Sequence, residues 1–244
     1  MHDRASAPQG LTALLKGLAA DPKHGPLPIL LLGLTVVSGV IDAVSILSLG
    51  RVFVANMTGN VVFVGFAIAG APGFSLTASL FALAGFLLGA LFGGLGAERL
   101  GPDRGAMLRN AVGIEVVFII VALIISVSAT TPFNSPTKDA IAAIVAIALG
   151  FQNSIARRLA VPDLTTTVVT MALTGIAADV RARQPGVVVR RLLAVLTMLI
   201  GAIIGALLVL HVSPSAALGL AAGLLLVVSM MAAIAGRRKA AWNS

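Results

Sequence analysis

The chain contains no cysteine, a single tryptophan, three histidines and only 11% charged residues. Without thiols there are no disulfides, no thiolate chemistry and no cysteine metal sites. His2, His24 and His211 lie in tails or at a loop edge, and none is placed for catalysis. No nucleophile with a base, metal cluster or phosphate loop occurs, so the sequence predicts neither an enzyme nor a cofactor. An ordinary soluble domain carries about 25% charged residues. With 58% hydrophobic residues and a mean hydropathy of +1.05, the composition is that of an integral membrane protein.

The net charge of +8 does not mark a nucleic-acid site, because the basic residues sit at the ends of apolar runs and not along one soluble face. They read as topology signals, and the basic tail at 237–244 with Trp242 reads as an interfacial anchor. The first 27 residues are polar, and the apolar run from Ile29 is too long for a signal-peptide core, so no cleavable leader is expected. In the tail at 1–28, Leu11, Leu14, Leu15 and Leu18 fall on one helical face beside Lys16. That tail either lies on the membrane surface or frays.

Eight apolar runs approach the roughly 20 residues needed to cross a bilayer: 29–49, 52–71, 76–97, 107–129, 140–156, 164–178, 187–210 and 215–236. Lysine and arginine in short loops are retained on the cytoplasmic side. Eight full crossings with a cytoplasmic amino terminus would divide these residues 11 inside to 6 outside. If runs one and two together cross once, and runs five and six likewise, only Arg51 and Lys138 fall outside and the division is 15 to 2. The sequence therefore predicts an all-α polytopic fold of about six effective crossings, two broken or re-entrant segments and both termini cytoplasmic.

Three crossings per half is an odd number, so a first membrane repeat at 29–130 and a second at 138–236 would be inverted relative to each other. A shift of 112 residues superposes Thr58 on Thr170, Gly89 on Gly201 and Gly93 on Gly205. A shift of 111 pairs Gly39 with Gly150 and Asp42 with Asn153. The Gly-x-x-x-Gly faces so matched are expected to bind helices, including those of a second copy of the chain.

Polar groups at membrane depth mark the candidate site. Asp42 lies two thirds of the way along the first run, either as a proton- or cation-responsive carboxylate or as a cap or Arg51 partner. Glu115 is the other acid inside a run; it serves the same cavity as Asp42 or snorkels beside Arg109. Asn56, Thr58, Gly59 and Asn60 gather two amides, a hydroxyl and a flexible backbone position in five residues, as a half-helix break does. Gln152, Asn153, Thr165, Thr166, Thr167 and Thr170 form the second polar set; the threonines bind solute or bond back to their own helix.

These motifs carry a resemblance. Gly39-Val-Ile-Asp42, Phe53-Val-Ala-Asn-Met-Thr-Gly-Asn60, and Gly150-Phe-Gln-Asn153 with Arg157-Arg158 and the following threonines resemble the YoaK family of bacterial multi-span membrane proteins. The resemblance implies a bacterial inner-membrane location and a compact multi-span fold, and it supplies no substrate. Family members commonly have a glycine where this chain has Met171. The residues themselves support a transporter of a small solute or ion, with proton coupling through Asp42 and the lipid bilayer as the partner. A channel and a non-transport scaffold or assembly protein are the alternatives.

Overall fold

The computed structural model describes residue 21 and residues 23–101, 103–162, 164, 170, 172–176 and 185–236. Its helices are α1 (Leu27–Ser48), α2 (Met57–Ile68), α3 (Leu76–Gly96), α4 (Arg104–Ser128), α5 (Ser135–Leu159), α6 (Pro185–His211) and α7 (Pro214–Gly236). A single 3₁₀ turn, Ala97–Arg99, extends α3, and residues 172–176 are also helical. Among the described residues six helices, α1 and α3 to α7, are long and apolar enough to cross a bilayer. At about 1.5 Å per residue, even the shortest of them exceeds the roughly 30 Å hydrocarbon layer. The protein is a multi-pass, all-helical membrane protein.

Starts are set by local side chains that satisfy free backbone N–H groups. Ser75 accepts from the Ala78 N–H of α3 (3.2 Å), Asp103 from the Ala106 N–H of α4 (2.7 Å) and Asn134 from the Thr137 N–H of α5 (2.9 Å). Ser213 does the same for α7 through the Ala216 N–H at 3.1 Å.

Long-range contacts fix the direction of each helix. Asp21 pairs with Arg190, and His24 contacts Arg104, which brings the starts of α1, α4 and α6 together. Arg158 pairs with Glu98 at 3.0 Å, adding the ends of α3 and α5 to that same end of the bundle. At the opposite end, Ser126 of α4 meets Ser215 of α7 (2.8 Å), and Gly50 and Ser75 share a cleft with Lys138 of α5. The six long helices thus alternate in direction. The first end carries nearly all the basic residues described, and we call it the arginine-rich end.

Helix α1 packs most extensively on α6, α3 on α5, and α4 on α7, with α1 and α5 the most buried of the six. Glycine permits the two parallel contacts, α1 with α6 and α3 with α5. A β-carbon at Gly89 would overlap the Ile147 carbonyl, one at Gly201 the Val36 carbonyl, and one at Gly150 the Phe86 carbonyl. The glycine faces expected to bind other copies are therefore filled by helices of the same chain. The outer faces of α3, α4, α6 and α7 instead show exposed leucine, isoleucine, valine and phenylalanine, as lipid requires.

The second apolar run does not cross. Its helix α2 has 12 residues, about 18 Å at the standard rise and too short to span. Residues 49–56 run inward without helix, and both ends of the excursion return to one place. A β-carbon at Gly50 would lie 3.6 Å from Ser75, and one at Gly73 would lie 3.0 Å from the Arg51 guanidinium. Positive φ at Gly50 (95°) and Gly73 (84°) makes those turns. Phe53, Phe63, Phe66 and Phe74 stack along the hairpin, with ring centroids 5.1 to 6.3 Å apart. In the sixth apolar run, Thr165, Thr166, Thr167 and Met171 lie outside the described residues.

Candidate functional site

Buried polar side chains collect at mid-depth. Ser38 and Asp42 stand one turn apart on α1, Glu115 lies near the middle of α4, and Gln152 and Asn153 lie on α5. Asp42 is 8% exposed, Glu115 1% and Gln152 3%. With helix ends as landmarks, Ser38 and Glu115 each sit roughly 17 Å from the arginine-rich end, near the centre of a bilayer, with Gln152 and Asn153 roughly 10 Å and Asp42 roughly 22 Å from that end.

Helix α1 is apolar elsewhere, and its hydroxyls are mostly satisfied within the helix. Thr35 donates to the Leu31 carbonyl (2.9 Å), Ser38 to Leu34 (3.1 Å) and Ser45 to the Asp42 carbonyl (3.0 Å). Ser38 also accepts a long hydrogen bond from the Gln152 amide at 3.4 Å, joining α1 to α5. Gln152 and Glu115 line one cavity with Leu31, Leu34, Leu108 and Ile155. Measured to the centre of a water molecule it is about 10 Å³, room for roughly one water.

Asp42 lies where the re-entrant hairpin meets α1. The backbone N–H of Val54 faces its carboxyl group, while its Oδ1 is buried without a hydrogen-bond partner. A buried polar atom without a partner costs on the order of 1–3 kcal/mol, more when charged, so its retention calls for an explanation. Arg51 does not supply it: that side chain is exposed and lies over Gly73.

The hairpin residues divide by role. Asn60 is fully buried and clasps Phe53 twice: its Oδ1 accepts from the Phe53 N–H (2.8 Å), and its Nδ2 donates to the Phe53 carbonyl. The side chain thereby replaces the pairing that the broken helix lacks. Gly59 receives the Phe53 ring, where a β-carbon would overlap it. Asn56 and Thr58 are exposed, as is Thr170, whose carbonyl accepts from Thr174 at 2.9 Å. Among the described residues, then, Glu115 and Gln152 share a cavity, Asp42 adjoins through α1, and Asn56, Thr58 and Thr170 stand apart. Ser38 and the Val54 N–H were not anticipated; the one sequence signal for Ser38 is its position a turn before Asp42.

A second polar group closes the arginine-rich end. Asp21 Oδ1 accepts from the backbone N–H groups of Lys23 (2.9 Å) and His24 (2.8 Å), and its Oδ2 pairs with Arg190 at 3.2 Å. Burial alone would raise the Asp21 carboxyl, but these N–H donors and the Arg190 guanidinium outweigh it and hold it below its ordinary value. Arg104 donates to His24 Nδ1 (3.1 Å) and to the Leu159 carbonyl at the end of α5. Burial, with Arg104 beside it, pushes the His24 imidazole below its ordinary value, so the neutral ring is the docked form. Arg109 is exposed and bonds Asn110 at 3.1 Å, away from the buried Glu115.

The chain is 31% identical over 188 residues to the UPF0700 transmembrane protein YoaK of Bacillus subtilis (strain 168), covering 71% of this chain and 80% of that protein. No solved structure matches it. The profile of a family described as proteins of unknown function, DUF1275, matches residues 30–231, which takes in all of the mid-depth polar residues. The chain belongs to this DUF1275 family of transmembrane proteins.

Proposed function

We propose that this protein transports a small solute or ion across the membrane, coupled to protons through Asp42, at a mid-depth site formed by Asp42, Ser38, Glu115, Gln152 and Asn153. The observation that carries the reading is the buried Asp42 Oδ1 without a partner, held against a re-entrant hairpin in an otherwise apolar helix. A carboxylate that served only as a cap or an ion pair would have its partners in place. An intramembrane acid facing protein interior is the usual mark of an ion or proton pathway. Asn60, Gly59 and Phe53 hold the break open for Val54 to reach Asp42. Asn56, Thr58 and Thr170 belong to the site only in a second conformation that turns them inward.

The two halves form an inverted repeat in this reading. Three pairs of glycine contacts support it: Gly89 on Ile147 with Gly201 on Val36, Gly93 on Phe151 with Gly205 on Val40, and Gly150 on Phe86 with Gly39 on Met198. Each pair is related by a shift of 111 residues from α1 to α5 and of 112 from α3 to α6. Matching helices run in opposite directions, and the shift that matches Gly39 to Gly150 sets Asn153 in the place of Asp42. Inverted repeats with broken helices at the midplane are a recurrent basis of alternating access. The division of basic residues, 15 to 2, supports a bacterial inner-membrane orientation with the arginine-rich end in the cytoplasm. A scaffold reading loses its main support, since the glycine faces are already filled.

The test uses purified full-length protein in liposomes loaded with a pH-sensitive dye. Amino acids, carboxylates, sugars and nucleosides are added in turn under an inward proton gradient. At least one class is expected to evoke proton entry above that of empty liposomes, and Asp42→Asn is expected to abolish it. Equal proton entry in the wild type and Asp42→Asn overturns the coupling role.

A further inference from the structure

At the end opposite the arginine-rich one, a cleft of about 260 Å³ opens between the hairpin, the start of α3 and the first turn of α5. Leu49, Gly50, Phe74, Ser75, Lys138 and Asp139 line it. Its volume falls just below the roughly 300–1,000 Å³ of pockets that take drug-sized ligands, which suits a small solute. The charges at this end are few. Among the described basic residues only Arg51 and Lys138 lie here, and Asp139 is the one described acid of the loops and helix ends around them. Lys138 and Asp139 line the cleft, half-buried, and the exposed Arg51 guanidinium lies against Gly73, another of its lining residues.

Basic residues are disfavoured on the translocated side of a membrane protein, so two converging on one cleft call for a reason. Arg51 adopts a left-handed backbone conformation, φ 59°, which directs its side chain across the hairpin turn at a conformational cost. Two cations beside one carboxylate give a net single positive charge. That combination matches a small solute with one carboxylate and one hydrogen-bond donor: Arg51 and Lys138 take the carboxylate, and Asp139 takes the ammonium or hydroxyl group. The floor of the cleft, Leu49 and Gly50, leads into the inward-running segment whose Val54 reaches Asp42.

We propose that this cleft is the outer binding site for the transported solute, and that the solute is a small carboxylate carrying an amine or hydroxyl group. The assignment rests on the transport reading above, and it names the solute class that reading leaves open. Lysine and arginine side chains at a membrane surface also contact lipid phosphates, and the experiment separates that source from a soluble carboxylate.

Full-length protein in phosphatidylcholine nanodiscs is titrated with L-alanine and glycolate, and with ethanolamine and glycerol as probes lacking the carboxylate. Saturable binding of L-alanine or glycolate, with none of ethanolamine or glycerol, is the expected result. Lys138→Met is expected to weaken it about tenfold, the effect of one charge-assisted hydrogen bond. Arg109→Met, which removes a cation at the other end, is expected to leave it unchanged. Acetate, which lacks the donor group, is expected to bind more weakly than L-alanine, and Asp139→Asn, which keeps the shape of the cleft, is expected to remove that preference. No binding of either carboxylate, or equal binding by Lys138→Met, overturns the proposal. So does a Lys138→Met effect that appears only in phosphatidylglycerol nanodiscs, which would give the cleft to lipid headgroups. Binding that Lys138→Met weakens and Arg109→Met does not belongs to the cleft, whereas proton entry lost in Asp42→Asn belongs to the mid-depth site, so failure at the cleft and failure at Asp42 are read separately.

Discussion

At the scale of single residues, the polar groups of this membrane domain sort by whether their bonds are already made. Asn60 spends both ends of its amide on the Phe53 backbone and is structural. Asn60→Ala would leave the N–H and carbonyl of half-buried Phe53 without these partners, at a cost of about 1–3 kcal/mol for each group left unpaired. It is expected to lower the thermal unfolding midpoint in detergent by several degrees, whereas Thr58→Ala, at an exposed position, should leave it unchanged; equal effects would contradict the assignment. His24 gives a pH dependence with a definite sign. In an undocked loop its ring titrates near 6.5, but docking favours the neutral form, so docking is fully present above that value. It is lost progressively as pH falls through the window between 6.5 and the lower docked value. The Asp21 carboxyl is held below its ordinary 3.8, so its Arg190 pair persists throughout that window. Amide exchange at residues 23–25, corrected for intrinsic rates, should show more protection at pH 7.5 than at pH 5.5, and His24→Gln should remove the difference. A difference that survives in His24→Gln would contradict the assignment.

At the scale of elements, close parallel packing rests on glycine. Gly89→Ala and Gly201→Ala each push a methyl into a facing carbonyl, at Ile147 and Val36, and overpacking of this kind costs about 1–3 kcal/mol. Gly219→Ala, with open space around it, is the control expected to be silent in the same unfolding measurement. Similar losses from all three would contradict the packing described. Much of this level was legible in the sequence. Periodic glycines at 85, 89, 93, 201 and 205 announced close faces, and the arginine count separated six crossings from eight apolar runs. What the sequence left open was the partner of each face, because Gly-x-x-x-Gly reads alike for a helix of the same chain and for one of another. The roles of Asn56, Thr58 and Asn60 were equally unreadable. All three are polar and close in sequence, yet whether an amide binds solute or backbone is decided by Phe53, seven residues away and brought back by the turn.

At the scale of the whole molecule, one end is basic, the other nearly uncharged apart from its cleft, and a polar cluster lies between them. A chain without native cysteine makes this arrangement easy to examine by single-cysteine labelling. In oriented vesicles, Arg109→Cys is expected to react with a membrane-impermeant thiol reagent only from the cytoplasmic side, and Arg51→Cys only from the other side. The reverse pattern would contradict the orientation. The central claim, that the mid-depth cluster around Asp42 is a transport site reached by water from both sides in turn, is tested most directly at Ser38. Ser38→Cys preserves size at a position that now accepts from Gln152 one turn from Asp42. The account predicts slow labelling of Ser38→Cys from each side of the membrane separately, with rates that change when Asp42 is replaced by asparagine. A folded Ser38→Cys protein that stays unreactive from both sides would contradict it.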